Sequence, residues 1–217
     1  MEGPFVRITT ALPSEQCADA PIAFLDRDGV INRGRAGYVN RPSEVELLDG
    51  AAEAIGRLKR HGYLVCVVTN QSPISRGLWG PTQLDAIHQH VQTALLALDE
   101  DAHIDAFITC PHRYEDGCGC RKPLPAMLAL GHRMLRLHPV GPTPLANAGP
   151  QHYPVDWWGE PPKAPHVRDA MVGDRRSDLG AGWGFGARLF RVSGHVGLDQ
   201  VIDRVLDEHD GGDDFQP

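Results

Sequence analysis

Two aspartates separated by one residue, Asp26 and Asp28, stand at the end of a short apolar run, Ile22 to Leu25. A run of this length, with Pro21 before it and a Gly-containing turn after it, is typical of a buried strand. Carboxylates at alternate positions repel each other and resist burial unless a proton or a cation neutralises them. The pair therefore predicts a metal site, a site for a reacting phosphate, or both, although a solvated turn after a strand has a similar composition.

A second group of candidate metal ligands lies within one short polar loop, at Cys110, His112, Cys118 and Cys120. Three thiolates and one imidazole suit tetrahedral zinc, and four protein ligands leave no position for a reacting water, so we expect a structural zinc. Metal binding and the order of this Gly-rich loop should then be coupled. Free thiols are the alternative, as is a redox pair of Cys118 and Cys120, which leaves His112 unexplained.

Two cations, Arg121 and Lys122, follow this loop directly. Such a pair is often only a solvated surface. A phosphoryl group placed among carboxylates needs positive charge to offset repulsion, and Mg²⁺ together with Lys122 could provide it.

The elements that must position these residues alternate along the chain. Helical spacing predicts helices over 50–62, 82–98, 125–138 and 198–209, and apolar runs predict strands over 22–25, 63–68, 104–109, 170–174 and 187–192. This alternation indicates an α/β fold, a Rossmann-like three-layer αβα sandwich with a mostly parallel sheet and no large cap domain. Because the carboxyl ends of parallel strands share one edge, we expect that edge to gather five polar residues: Asp26, Asp28, Thr69, Asn70 and Asp174.

One domain over 21–209 accounts for these elements. Residues 1–20 are expected to be a surface extension, and the acidic residues 210–217 a disordered tail. The Pro-rich insertion 139–168 should lack regular structure, emerge at the sheet end opposite the site, and form a surface excursion or a subunit contact. Its adjacent Trp157 and Trp158 should bury against something. The basic loop at 33–41 either folds over the site or is solvated.

Composition restricts the kind of partner. The 217 residues have 41% hydrophobic content and a net charge of -7, which allows a sizeable core and argues against a general nucleic-acid or anionic-membrane surface. No run approaches membrane-spanning length, and Met1 to Pro4 lacks the basic start of a signal peptide, so we expect a cytoplasmic protein. The predicted partner is a small phosphorylated metabolite, and the chain a monomer or weak homo-oligomer.

The order of these motifs resembles that of the haloacid dehalogenase superfamily of phosphohydrolases. Its four signature motifs correspond to Asp26-x-Asp28-Gly29, Thr69-Asn70-Gln71, Lys122 and Gly173-Asp174-x-x-x-Asp178. Over about residues 22–192, apart from the Pro-rich insertion, the chain is similar to the D-glycero-D-manno-heptose 1,7-bisphosphate phosphatases and the related histidinol-phosphate phosphatases. That closer similarity includes Cys110-Pro111-His112 and Cys118-Gly119-Cys120-Arg121-Lys122-Pro123.

The resemblance implies a phosphoric monoester hydrolase in which Asp26 attacks phosphorus and forms an aspartyl-phosphate. Asp28 would protonate the departing alkoxide and then take a proton from water. It would have to be protonated when substrate binds, for which neighbouring carboxylates would need to raise its pKa. Mg²⁺ would be held by Asp26, Asp174 and the backbone carbonyl of Asp28.

The same resemblance implies roles for the remaining motif residues. Thr69 and Asn70 would hold phosphoryl oxygens or orient the surroundings of Asp28. Lys122 would neutralise developing charge, and Asp178 would support the metal shell or Lys122.

Departures from the family pattern concern the substrate. Ser72-Pro73-Ile74-Ser75-Arg76-Gly77 stands where the heptose enzymes typically have Ser-Gly-Ile-Ala-Arg-Gly. Arg76 can contact a second anionic group, which favours the heptose bisphosphate. Arg121 and Arg175 are the other predicted substrate-binding residues, and Arg175 replaces a usual lysine.

The leading hypothesis is a Mg²⁺-dependent phosphatase that converts D-glycero-D-manno-heptose 1,7-bisphosphate to the heptose monophosphate. The short zinc loop is nearer to the histidinol-phosphate type, so histidinol phosphate is the alternative substrate. A non-catalytic, zinc-braced phosphate-binding or partner-docking module is the alternative from another class.

Overall fold

The computed structural model describes residues 3–9, 18–137 and 141–217. Its seven strands are β1 Phe5–Ile8, β2 Ile22–Leu25, β3 Leu64–Asn70, β4 Ala106–Cys110, β5 Thr143–Asn147, β6 Ala170–Gly173 and β7 Arg188–Arg191. Its α-helices are α1 Ala51–Arg60, α2 Pro81–Leu96, α3 Ala126–His132, α4 Arg176–Phe185 and α5 Ile202–Leu206. In these described ranges, no helix combines the length and the apolar character that crossing a bilayer requires.

The strands form one sheet in the order β5-β1-β4-β3-β2-β6-β7. The five strands from β4 to β7 in this order run parallel to one another. The central strand β2 is apolar and wholly buried, as expected for a parallel strand that is covered on both faces. Alternate residues enter different cores, with Phe24 on one side of the sheet and Leu25 on the other. The predicted α/β fold with a mostly parallel sheet is confirmed.

The four predicted helices lie at their predicted positions with one difference in length, and α4, Arg176–Phe185, is a fifth helix that was not predicted. The third continues from α3 through a π-helical turn, Arg133–Leu137, and the predicted end at residue 138 lies outside the described residues. The last is shorter than predicted, because the chain forms a separate short turn at Gly197–Gln200 before α5 and is extended again at Asp207.

The segment predicted as a surface extension contains a strand of the sheet, so the prediction is wrong for Phe5–Ile8. This strand, β1, pairs antiparallel with β4, and Phe5 lies opposite Thr109. Phe5, Val6 and Ile8 are buried. Four residues are too few for a clear periodic signal, and burial against β4 decides their structure. Residues 10–17 of the predicted extension lie outside the described residues.

The Pro-rich insertion also adds a strand, contrary to the expectation of a wholly irregular segment. Thr143–Asn147 forms β5, which among the described residues pairs with β1 alone and lies at the edge of the sheet. An edge strand tolerates Pro144, because one side of the strand needs no N–H donors. Since β1 is antiparallel to both β4 and β5, β5 carries the chain to the edge where Cys110 lies. The insertion therefore emerges at the opposite end, as predicted, where Thr143 pairs with Ile8, but β5 then takes it across the sheet to the edge that carries the site.

After β5 the insertion packs against the domain without forming a helix or strand. The carbonyl oxygen of Gln151 would lie 2.0 Å from a Cβ added to Gly119, so the two backbones are in close contact. Trp157 stacks on Trp183 with ring centroids 5.7 Å apart. Trp158, in contrast, is 99% exposed. Trp157 packs against the core and is partly buried, in line with the expectation, whereas the expectation is wrong for Trp158.

The acidic tail contacts the domain, where the composition predicts disorder. Arg204 donates hydrogen bonds to Asp210 and Asp213. Phe215 packs against the core and lies beneath the guanidinium group of Arg176, 4.8 Å from ring centroid to Cζ. One apolar residue, Phe215, and two cationic partners, Arg204 and Arg176, give the tail contacts that its overall composition does not reveal.

Candidate active site

A cavity of about 570 Å³ opens at the carboxyl edge of the parallel strands. Every residue predicted as catalytic or substrate-binding lines it: Asp26, Asp28, Thr69, Asn70, Arg76, Arg121, Lys122 and Arg175. The loop at 33–41 contributes Arg35, Tyr38 and Val39, so it borders the site. The strand-end rule thus brings together residues that are far apart in the sequence.

Asp26 lies at the floor of the cavity, directly after β2, and is 6% exposed. Its backbone N–H donates to Val172 of β6, which fixes the chain where the strand ends. Burial raises the pKa of Asp26 to about 6, with Lys122 opposing the shift and the carboxylates of Asp178 and Asp28 adding to it. A bound cation would therefore favour the ionised, nucleophilic form.

Lys122 is a buried cation held by three acceptors. Its Nζ donates to Asp26 Oδ1 at 2.8 Å and to the Val68 carbonyl oxygen at 2.7 Å, and it lies 2.8 Å from Asp178 Oδ1. Burial alone would lower the pKa of Lys122, but the Asp178 and Asp26 carboxylates outweigh it and raise the pKa. The ammonium group is therefore a fixed positive charge beside Asp26.

Three carboxylates, those of Asp26, Asp174 and Asp178, place oxygens within 4.8 Å of one another. Asp178 is already engaged, because it pairs with Lys122 and accepts a hydrogen bond from the Arg175 backbone N–H. Among the described residues, Asp174 Oδ1 is buried and has no hydrogen-bond partner. An all-oxygen set with one unpartnered buried oxygen fits Mg²⁺, with Asp26 and Asp174 as its side-chain ligands.

Asp28 is held as a carboxylate by three donors that sequence reasoning did not identify. Arg27 and Gln71 donate to Oδ2, each at 2.9 Å, and Asn32 donates to Oδ1 at 2.8 Å. Burial alone would raise the pKa of Asp28, but the Arg27 guanidinium and these hydrogen bonds lower it. The raised pKa that the acid role of Asp28 would need is therefore not found in this arrangement. The sequence did contain one sign of these partners, because Arg27 stands between Asp26 and Asp28. In the structure its side chain is fully buried.

Asn70 and Thr69 make contacts within the protein. The Asn70 side chain holds the backbone of Lys122, accepting from its N–H and donating to its carbonyl oxygen, both at 3.2 Å. Thr69 Oγ1 accepts a hydrogen bond from Gln71 at 3.0 Å. Asn70 therefore positions Lys122, and Thr69 positions a partner of Asp28.

Four arginines are among the residues that line the cavity: Arg35, Arg76, Arg121 and Arg175. Arg121 donates to the carbonyl oxygen of His112 at 2.6 Å, which ties it to the cysteine loop. Arg175 is largely exposed and lies 4.0 Å from Asp174. Arg35 was not among the predicted substrate-binding residues, because nothing in the sequence shows that its loop borders the site.

The predicted zinc ligands converge on one point. The sulfurs of Cys110, Cys118 and Cys120 lie 3.3–3.7 Å apart, and His112 Nδ1 lies 3.5 Å from Cys110 Sγ and 3.4 Å from Cys120 Sγ. A tetrahedral zinc with bonds of about 2.3 Å to sulfur would place its thiolates about 3.8 Å apart. The donor set and its spacing therefore fit a four-coordinate structural zinc.

Comparison with curated proteins finds similar phosphatases. The D-glycero-alpha-D-manno-heptose-1,7-bisphosphate 7-phosphatase of Mycobacterium tuberculosis is 35% identical over 157 residues, which cover 72% of this chain and 68% of the relative. The corresponding beta-specific phosphatase of Bordetella bronchiseptica is 42% identical over 106 residues, or 49% of this chain. That match spans 58% of the Bordetella protein. No protein-family model matches the sequence.

Solved structures give the same relationship. The D,D-heptose 1,7-bisphosphate phosphatase from B. bronchiseptica, solved with magnesium and phosphate, has a TM-score of 0.63 and 28% identity, covering 84% of this chain and 98% of that one. A HAD-like protein from Mesorhizobium loti has a TM-score of 0.68 and 25% identity, covering 99% and 97%. With its motifs in order at one cavity, the chain belongs to the heptose-1,7-bisphosphate 7-phosphatase family of the haloacid dehalogenase superfamily.

Proposed function

We propose that the protein hydrolyses D-glycero-D-manno-heptose 1,7-bisphosphate to the heptose monophosphate through an aspartyl-phosphate. The observation that carries this proposal is the arrangement of Asp26 beside the buried ammonium group of Lys122, at the floor of a cavity lined by four arginines. The names of the similar proteins support the same substrate.

The chemistry follows from the positions of the carboxylates. An oxygen of Asp26 attacks phosphorus, the bond from phosphorus to the sugar oxygen breaks, and the departing alkoxide takes a proton from Asp28. Water then attacks the aspartyl-phosphate, Asp28 takes its proton, and Asp26 is released with inorganic phosphate. Lys122 offsets the charge on the phosphoryl oxygens throughout. Asp26, Asp174 and the Asp28 backbone carbonyl would hold Mg²⁺, which supplies further positive charge there.

The acid role of Asp28 requires a proton that its present partners disfavour. Because the Arg27 guanidinium holds the pKa of Asp28 low, a nearby anion is needed to raise it. The phosphoryl group of a bound substrate is such an anion. We therefore propose that Asp28 takes up its proton when the substrate binds.

The arginines favour a substrate with two phosphates. Four positive charges line the cavity, those of Arg35, Arg76, Arg121 and Arg175. The reaction itself involves only one phosphoryl group. A second phosphate would neutralise part of this charge, whereas the amine of histidinol phosphate would be repelled by it.

Phosphate release from the heptose bisphosphate and from histidinol phosphate, measured side by side, tests the proposal. We expect the bisphosphate to be hydrolysed faster, and Asp26→Asn to lower kcat by about three orders of magnitude or more because an amide cannot form the acyl phosphate. Asp156→Asn, an exposed aspartate of the Pro-rich insertion, is the matched control. Wild-type turnover by Asp26→Asn would disprove the covalent mechanism and favour a non-catalytic role of this carboxylate.

We also propose that the protein acts in the cytoplasm as a monomer or weak homo-oligomer on this small metabolite, without a nucleic-acid or membrane partner. The acidic net charge of -7 supports this view. Light scattering of the purified protein across a concentration series would measure its mass directly, and a stable higher oligomer at low concentration would contradict it.

A further inference from the structure

Two loops border the outer part of the cavity. The first rim loop, 33–41, contributes Arg35, Tyr38 and Val39 to the lining, and the second rim loop, 72–80, contributes Ser72 and Arg76. They come from different crossovers of the sheet, one after β2 and the other after β3. The contacts that hold the two rim loops against each other therefore determine the shape of the cavity opening.

Asn40 joins the two rim loops. Trp79 Nε1, from the second rim loop, donates to Asn40 Oδ1 at 3.0 Å, and Gln83 Nε2, from the first turn of α2, donates to the Asn40 carbonyl oxygen at 2.8 Å. The Asn40 N–H donates to Glu44 at 2.9 Å. The side chain and backbone of Asn40 are thus held from both sides.

The same side chain supports a strained backbone next to it. Tyr38 has φ of 65°, the left-handed region that is unfavourable for a residue with a Cβ. Asn40 Nδ2 donates to the Gly37 carbonyl oxygen at 2.7 Å and reaches that of Tyr38 at 3.4 Å. Strain of this kind persists only where surrounding contacts fix it. Here the Asn40 amide provides that fixation, and Trp79 orients the amide.

We propose that Trp79 is a positioning residue: through Asn40 it holds the first rim loop, with Tyr38 and Arg35, over the outer part of the cavity. This inference rests on the proposed function, because the part of the substrate that these residues would contact is the sugar and the phosphate remote from Asp26. Trp79 contributes to binding of the bisphosphate and not to the transfer of the phosphoryl group.

Steady-state kinetics of Trp79→Phe test this assignment, since phenylalanine keeps an aromatic ring but has no N–H. We expect KM for the heptose bisphosphate to rise about fivefold, as loss of one net hydrogen bond implies. For acetyl phosphate, which has no sugar and no second phosphate, kcat/KM should stay within about twofold. Trp158→Phe, at a 99% exposed ring in the Pro-rich insertion, is the matched control.

A double-mutant cycle with Asn40→Ala tests whether the two residues act together. If Trp79 works through Asn40, the double variant should have the same KM as Asn40→Ala alone. Independent, additive effects of the two substitutions would overturn the proposal, as would an unchanged KM in Trp79→Phe.

Limited trypsin digestion of the native protein gives a readout that needs no substrate. The first rim loop contains Arg33 and Arg35, each followed by a small residue, and we expect Trp79→Phe to speed cleavage after these two arginines severalfold, identified by fragment mass. Arg41 gives no site, because it precedes Pro42. An unchanged cleavage rate would overturn the positioning role whatever the substrate is. Faster cleavage in an enzyme that does not act on the heptose bisphosphate would leave the positioning role standing and remove the proposed substrate.

Discussion

Gly29 connects the backbone of the Asp-x-Asp-Gly motif to the metal site. Its φ of 89° is unfavourable for other residues, and a Cβ added there would lie 2.7 Å from Cγ of Asp174. Asp174 is the carboxylate whose buried Oδ1 has no partner in the described part of the chain. Position 29 therefore has two reasons to be glycine, one conformational and one steric.

Replacing Gly29 with alanine should displace Asp174 and weaken Mg²⁺ binding. We expect the Mg²⁺ concentration for half-maximal activity to rise at least about tenfold, with a stability loss of about 1–3 kcal/mol from the strained backbone. The control is Gly62→Ala, which has a similar φ of 79° but an added Cβ that meets nothing within 4 Å, so it should cost stability and leave the Mg²⁺ curve unchanged. An unchanged Mg²⁺ activation curve in Gly29→Ala would contradict the ligand role of Asp174.

For individual residues, the sequence predicts well which side chains lie at the same site. It predicts poorly which hydrogen bonds those side chains form. Strand ends alone place Asp26, Asp28 and Asp174 at one site. The partners of Asp28 were not predicted, because hydrogen bonds such as that from Gln71 depend on rotamers that only the packed structure fixes.

Among the elements, the cysteine loop is the one whose order should depend on a metal. We expect the purified protein to hold one equivalent of zinc after Mg²⁺ is removed. Cys118→Ser should lose it, because replacing one of four thiolate or imidazole ligands opens the tetrahedral site.

Metal analysis by mass spectrometry checks this prediction. Cys66→Ser is the comparison variant, since Cys66 is buried in β3 and lies outside the cluster, and it should keep its zinc. Normal zinc content in Cys118→Ser would rule out the four-ligand site.

The Pro-rich insertion should be stabilised mainly by one of its two tryptophans. Trp157→Ala removes the stack on Trp183 and should lower the free energy of unfolding by about 1–3 kcal/mol. Trp158→Ala, at a fully solvated side chain, should change it by less than about 0.5 kcal/mol. Urea unfolding of both variants measures the difference, and equal effects would show that the stack does not hold the insertion.

The five parallel strands were predictable because each contains a short apolar run, although in β7 that run is only Leu189-Phe190 between two arginines. The two strands at the other side of the sheet were not. Phe5–Ile8 is too short to give a pattern, and Thr143–Asn147 contains Pro144, which argues against a strand unless that strand is known to lie at an edge. Both depend on partners that are distant in the sequence.

For the molecule as a whole, a buried histidine should make the fold sensitive to acid. His88 is fully buried and stacks on Phe107 with ring centroids 4.3 Å apart. Neither ring nitrogen has a hydrogen-bond partner within the ranges that the structure describes. Burial, together with the positive charges of Arg27 and Arg7, holds the pKa of His88 well below its usual value.

The sign of the pH effect follows from this depressed pKa. The unfolded chain binds a proton at His88 below about pH 6.5 while the folded protein does not, so stability falls as the pH decreases from 6.5. The slope approaches about 1.4 kcal/mol per pH unit. Urea unfolding between pH 7 and 5 should show a weaker pH dependence for His88→Leu than for wild type. His90→Leu, exposed on the same helix, should keep the wild-type slope.

The position of β1 has a consequence for how the chain assembles during synthesis. Strands β2 and β3 are neighbours in the sheet and follow each other in sequence, so they can pair early. In the part of the chain that the structure describes, Phe5–Ile8 pairs with β4 and β5, so about a hundred residues must be made before the first of these partners exists. Until then three apolar side chains stay exposed on a nascent chain, at a stage when such surface promotes aggregation and recruits chaperones. The side of the sheet that carries β1 therefore forms after the pairing of β2 and β3.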